Sequence, residues 1–386
     1  MKLKKIMAFA VSIILSMGIL SACGSSDIES KTESSAAESS QAESEQAMPI
    51  RDISSWELVK EMKIGWNLGN TLDATGAEGL NAETSWGNVT TCVEMVTLLK
   101  NTGFNVLRVP VSWDKHMDEN YNIDAQWLAR VKEVVDYGID NGMYVILNTH
   151  HEEWYFPNEE NKEQDIEQLT ALWSQIAETF KNYDEHLIFE GLNEPRLRDT
   201  ANEWNGGTDE ARQICNEYAK AFYNTVRNSG GNNAKRHLMI TGYAASSQKS
   251  CLEAIDLSEF DDKVIVSVHA YLPYSFALDT KGTDKFEENT SAVEIDTLFQ
   301  NLDDLFLSKE IPVIIGEFGS VNKDNLDQRI ACAEYYLNQA EYYGVPCIWW
   351  DNGATVGSGE NFGLMDRTYF TWNFQELVDV LIEKTK

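Results

Sequence analysis

Residues 144–152 read Tyr-Val-Ile-Leu-Asn-Thr-His-His-Glu. A short apolar run stops at a cluster of polar and ionisable groups. The run is too short for a helix. It suits a strand buried on both faces, as parallel sheets under helices require. Working outward, comparable runs occupy 62–66, 104–109, 187–190, 238–241, 264–269, 313–316 and 347–350, which makes eight with 144–148. Between them lie helix-like stretches with apolar spacing near 3.6: 89–100, 124–141, 166–181, 210–228, 292–307, 326–343 and 373–384. The stretch 124–141 opens on Asp124 as a cap and carries Leu128, Val131, Val134 and Val135 on one stripe. A further helix near 247–257 has the weakest pattern. Eight strand–helix units predict an α/β fold, a (β/α)8 TIM barrel forming one catalytic domain. A doubly wound sheet is the competing arrangement. No Gly-x-Gly-x-x-Gly follows the first strand, and the count reaches eight.

The barrel body is expected to span 48–386. Before it, three Lys in the first five residues precede an uncharged run at 6–20, followed by Leu20-Ser21-Ala22-Cys23. This predicts a signal peptide at 1–22, since the run is short for a transmembrane helix. The last four residues resemble a bacterial lipobox, which implies cleavage before Cys23 and a diacylglycerol on its thiol. Residues 23–47 are rich in Ser, Ala and Glu and have one large apolar group, Ile28. Such a segment buries too little to offset its ordering entropy. It is expected to be a flexible tether, with the protein exported and lipid-anchored at the bacterial cell surface, or secreted. The other five cysteines, Cys92, Cys215, Cys251, Cys332 and Cys347, are widely spaced. They suggest neither a disulfide framework nor a zinc site, although one bridge stays open.

The chain has 31 basic and 62 acidic residues, a net charge of −31. That argues against nucleic acid, which needs a basic surface. It also disfavours acidic polysaccharides, so a neutral partner and a monomer are expected.

In this fold, chemistry gathers at the C-terminal ends of the strands. Glu194 follows the fourth strand and Glu317 the seventh. One buried Glu is more often a salt-bridge partner. Two on facing strand ends are what glycosidic bond cleavage requires, one to protonate the leaving oxygen and one to attack or activate water. Trp66, Trp86, Trp113, Trp154 and Trp204 lie in or beside strand-to-helix loops and are candidates for stacking on sugar rings, or else for packing against the rim. Trp56, Trp127, Trp173 and Trp372 fall on helical patterns and are expected to pack. Asn67 and Asn70 are candidates for sugar hydroxyls. His116 and His237 read as surface or helix-end residues. No cofactor or metal is expected, because the histidines sit at different strand ends without ligand spacing.

Seven stretches together, GWNLGNTLDA (65–74), FNVLRVPVSW (104–113), VILNTHHE (145–152), FEGLNEPR (189–196), VHAYLPY (268–274), IIGEFGS (314–320) and IWWDNG (348–353), resemble glycoside hydrolase family 5, and most of all its subfamily 4 endoglucanases. The resemblance implies that Glu194 is the acid/base and Glu317 the nucleophile of a retaining double displacement. It implies that Asn193 donates to a sugar 2-hydroxyl, that Arg108 holds the nucleophile ionised, that Tyr271 hydrogen-bonds Glu317 and that His269 sits beside the acid/base. His150 or His151 is implied to bind the −1 sugar, and Trp350 to be its platform. The expected activity is an endo-acting β-1,4-glucanase on cellulose and related β-glucans. Xyloglucan, mixed-linkage β-glucan, mannan and xylan are alternatives served by the same machinery. A lipoprotein sugar-binding protein without catalysis is a more distant one.

Overall fold

A computed structural model describes residues 46–357 and 359–386. The expected signal peptide and nearly all of the tether, Cys23 included, lie outside the described residues. Eight parallel strands close a barrel in sequence order: β1 (Ile64–Leu68), β2 (Val106–Val109), β3 (Tyr144–Asn148), β4 (Leu187–Glu190), β5 (Leu238–Ser246), β6 (Val264–His269), β7 (Val313–Phe318) and β8 (Cys347–Asp351). β8 pairs back onto β1 and completes the ring.

Long helices cover the outside, among them Val93–Thr102, Ala125–Asp140, Lys162–Phe180, Asp209–Asn228, Glu288–Leu305 and Leu326–Tyr343. Asp124 caps its helix as expected, accepting from the Gln126 and Trp127 backbone N–H groups. Trp127, Val131, Val134 and Val135 bury their side chains beneath that helix. The helix expected at 247–257 shrinks to one turn, Lys249–Leu252. Just before it, β5 runs on to Ser246 through Ala244 and Ala245 at positive φ.

The barrel interior explains where the site comes from. Val106, Ile146, Ile188, Met239, Ile265, Ile314 and Ile348 form one inward apolar layer, closed from below by Leu58, Val59 and Met62. Strand side chains alternate faces, so the next inward residue lies two positions on. That rule selects Arg108, Asn148, Glu190, Thr241, Ser267, Gly316 and Trp350. A polar layer therefore sits directly on the apolar one, toward the C-terminal ends. Gly65 belongs to the lower layer because a Cβ there would meet Ile348 at 2.8 Å.

Two histidines differ from expectation. His116 is buried and stacks on Trp127, with ring centroids 3.7 Å apart. His237 is fully buried, with Nδ1 2.8 Å from Ser55 Oγ. Their burial comes from tertiary packing, which a polar letter in a loop does not disclose. All five described cysteines are free thiols. Among the described residues no helix is long and apolar enough to cross a membrane.

Candidate active site

Arg108 organises the floor of the cleft. Its side chain is fully buried on β2, and its guanidinium reaches five residues, the farthest being His269, whose Nε2 is 3.5 Å away. Nε donates to Glu190 Oε2 at 2.7 Å, and one terminal nitrogen donates to Asn67 Oδ1 and Glu317 Oε1 at 2.8 Å each. The other donates to Asn193 Oδ1 at 2.7 Å. A planar fork with five donors suits this divergent set, and a lysine does not. Burial opposes the charge, but the Glu190 and Glu317 carboxylates outweigh it and raise the guanidinium pKa further. Glu190 is itself fixed by Ser267 Oγ at 2.6 Å and Asn148 Nδ2 at 3.1 Å.

Glu317 lies in the last turn of pleat of β7, beside His269 of β6 in register. Tyr271 Oη donates to its second oxygen at 2.7 Å. Burial, and then the Glu317 charge, lift the Tyr271 phenol well above its ordinary pKa, so it stays a donor. Glu194 projects from the loop after β4, and its Oε1 lies 2.8 Å from His269 Nδ1. Burial pushes Glu194 upward, but the hydrogen bond and charge of His269, with Arg196, carry it below the ordinary carboxylate value. Burial pushes His269 down, but the charges of Glu317 and Glu194 raise it overall. The pair thus holds a proton on the His269 side. Oxygens of Glu194 and Glu317 and a nitrogen of His269 all lie within 4.8 Å of one another.

His150 and Trp350 form one wall, their rings parallel to within 2° and 5.6 Å apart. Burial and neighbouring cationic groups hold His150 well below its ordinary pKa, so it is neutral. His151 packs edge-on against His150, 4.5 Å away. Gly69 is required at the edge of this wall, since a Cβ would meet the Trp350 ring at 2.9 Å. Asp351 anchors the strand behind it. Its fully buried carboxylate accepts from Trp66 Nε1, Arg367 and the backbone N–H groups of Gly353, Leu364 and Met365.

A cleft of about 920 Å³ opens above these groups. It brings together His150, His151, Asn193, Glu194, His269, Tyr271, Glu317 and Trp350. Arg108 and Asn67 lie beneath its floor. Asn67 is the departure: it is fully buried, its amide donates to Gly316 O at 3.0 Å, and its carbonyl holds Arg108. With both ends spent inside the protein, it cannot reach a sugar. Asn70 is tied through its backbone, donating to Asp73 and accepting from Asn88. The loop tryptophans divide likewise. Trp66 and Trp113 are fully buried, bonded to Asp351 and to Asn148 O. Trp86 (40% exposed) and Trp204 (58% exposed) stand at the rim, and Trp154 is half-buried. Sequence reasoning passed over Glu190, Asn148 and Ser267. Their signal was the two-residue step from the apolar interior layer.

The clustered carboxylates and histidines also have the donor atoms of a cation site. A second such cluster is Asp73, His150 and His151. In the first, His269 Nδ1 lies 2.8 Å from Glu194 Oε1 and 3.6 Å from Glu317 Oε2, which places a base between two acids.

A (β/α)8 barrel with two carboxylates facing each other across a cleft, each tied to its own proton donors, is the architecture of an O-glycosyl hydrolase. The comparison with known proteins narrows the class. Residues 72–356 match the family described as cellulase, glycosyl hydrolase family 5, and the chain belongs to that family. It is 56% identical over 399 aligned positions to endoglucanase B of Ruminococcus albus, covering 98% of this chain and 97% of that one. Among solved structures it is similar to a GH5-4 broad specificity endoglucanase from Ruminococcus champanellensis with bound cellotriose. The TM-score is 0.84 and the identity 46%, over 87% of this chain and 100% of that one. A xyloglucan-specific endo-β-1,4-glucanase from a metagenomic library, in complex with cellotriose, superposes with TM-score 0.83 at 41% identity over 85% and 98% of the two chains.

Proposed function

We propose that this chain is an endo-acting β-1,4-glucanase that cleaves internal bonds of cellulose and related β-glucans by double displacement with retention. One observation carries the mechanism: carboxylate oxygens of Glu194 and Glu317 lie within 4.8 Å. That close approach favours a retaining pair, whose carboxyl groups stand roughly 5–5.5 Å apart, over an inverting pair at roughly 6.5–9.5 Å. The cleft volume lies near the top of the roughly 300–1,000 Å³ range of ligand sites, which suits several sugar units over one. The endoglucanase relatives support the substrate class, and the broad-specificity and xyloglucan-specific neighbours support decorated or mixed-linkage β-glucans beside cellulose.

Glu317, held between Arg108 and Tyr271, attacks the anomeric carbon. Glu194 protonates the departing glycosyl oxygen, and a glycosyl-enzyme ester forms on Glu317. In the open cleft the proton rests toward His269. Burial is the largest influence on Glu194 and favours its neutral form. A glycan that excludes water from the pair therefore moves the proton to where the leaving oxygen needs it. A water then attacks the anomeric carbon while giving its proton to Glu194, which breaks the ester, releases the sugar and restores Glu317. Asn193 Oδ1 is bound to Arg108, which leaves its Nδ2 for a sugar hydroxyl. Trp350 is the platform of the −1 sugar, with His150 beside it.

The test is reducing-end release and viscosity loss on carboxymethyl cellulose, xyloglucan, mixed-linkage glucan, xylan and mannan, with proton NMR of the first product. The β-anomer is expected first. An α-anomer first would overturn the double displacement, and intact glycan binding without release would favour a sugar-binding protein. Glu317→Gln should lose activity on the order of a thousandfold or more while still binding glycan.

A further inference from the structure

Arg196 closes the stretch Asn193-Glu194-Pro195-Arg196 and has no part in the steps above, yet it is built onto the acid. One terminal nitrogen donates to the Glu194 backbone carbonyl at 3.0 Å and lies 3.6 Å from Glu194 Oε2. Its Nε donates to Glu203 Oε1 at 3.0 Å. Its guanidinium lies 4.4 Å from the centroid of the Trp204 ring. These supports are themselves fixed. Glu203 Oε2 accepts from the Asp199 backbone N–H at 3.0 Å, and the Trp204 carbonyl accepts from Gln248 Nε2 at 3.0 Å. Three directions of contact leave the guanidinium one position, against the oxygen of Glu194 that His269 does not use.

We propose that Arg196 is a positioning residue that sets the proton affinity of Glu194, with Glu203 and Trp204 holding it in place. The inference rests on the reading of Glu194 as acid/base. The two oxygens of Glu194 have different neighbours: Oε1 meets His269, and Oε2 meets Arg196. A fixed cation beside Oε2 favours the carboxylate and makes Glu194 a stronger acid in the first step. The other titratable groups around Glu194 are His269 from β6, Tyr271 just after it, Glu317 from β7, His151 and Tyr155 after β3 and Glu360 after β8. Unlike them, Arg196 also bonds the backbone carbonyl of Glu194, which ties the cation to the acid's own position.

The side chains of Arg196 and Glu194 are 19% and 18% exposed. With water-like screening at 3.6 Å, removing the charge is worth about one pH unit on the carboxyl. The test is Arg196→Gln, followed through the pH profile of kcat/KM, whose basic limb reports loss of the proton that Glu194 and His269 share. That limb should move up by about one unit. Glu203→Gln, which loosens the anchor but keeps the guanidinium and removes one anion, should move it by less. On a dinitrophenyl cellobioside, whose leaving group needs no proton, Arg196→Gln should change the first step by less than about twofold. On a glucan oligosaccharide it should slow the reaction by about threefold. An unmoved basic limb in both folded variants overturns the assignment. So do equal losses on the two substrates, which mark a merely structural role. If the wild type releases no reducing ends, or Glu194→Ala keeps its activity, the reading of Glu194 itself fails. A static limb in an active enzyme removes only Arg196.

Discussion

Glu190→Gln tests whether the fully buried ion pair under the cleft holds the catalytic geometry. Glu190 takes the Arg108 Nε at 2.7 Å, Ser267 Oγ at 2.6 Å and Asn148 Nδ2 at 3.1 Å. One guanidinium is therefore shared between two carboxylates, Glu190 and Glu317. Glutamine keeps the shape and can turn its amide toward Ser267, which accepts, but Arg108 then keeps a single anionic partner. Breaking a buried pair costs about 3–5 kcal/mol. Because Glu317 remains, the lower end of about 3 kcal/mol applies. Unfolding entropy of about 2.1 cal/mol/K per residue over roughly 340 described residues gives about 0.7 kcal/mol/K, so Tm should fall by about 4 °C. Released on one side, Arg108 shifts toward Glu317 and carries Asn67 and Asn193 with it. A misplacement near 1 Å lowers kcat/KM by about ten- to a hundredfold. Thermal melts by circular dichroism and kinetics on an aryl cellobioside read both quantities. A Tm within one degree and a kcat/KM within twofold of wild type would refute the reasoning. A lowered Tm with intact kinetics would show that Glu190 serves the fold and not the position of Arg108.

Burial holds the His237 imidazole down at about 3, whereas the unfolded chain takes up a proton below about 6.5. Between those values the unfolded state binds more protons, so stability drops by about 1.4 kcal/mol for each unit that pH is lowered through this range. Urea unfolding at pH 7 and pH 5 should show wild type losing about 2 kcal/mol more than His237→Asn, and equal losses would exclude the effect. We also propose export and lipid anchoring through Cys23, on the strength of the apolar run at 6–20 and Leu20-Ser21-Ala22-Cys23. Expressed in a bacterium, the full chain should partition with membranes and carry acyl mass, whereas Cys23→Ala should not. An unacylated wild type removes the anchor.

The barrel was legible because parallel strands are covered on both faces, which leaves unbroken apolar runs such as Tyr144–Asn148. Glu194 and Glu317 were legible because each follows such a run at the end where the cleft opens. Depth along the barrel axis was not. Asn67 and Asn193 are the same residue type at strand ends. Asn67 is in register with Arg108 and lies under the floor, whereas Asn193 comes three residues past the end of β4 and reaches the cleft. Trp66 and Trp204 divide in the same way, the first inside β1 and the second on a loop. What separates these pairs is the count from the last apolar inward residue, and the face that counts as inward is known only once the ring has closed. Glu190 shows the consequence. Two positions past Ile188 it must point inward, and a carboxylate that points inward above an apolar layer requires a buried cation. Arg108, two positions past Val106, meets that requirement from two strands away, and its remaining donors then fall on Glu317 and Asn193.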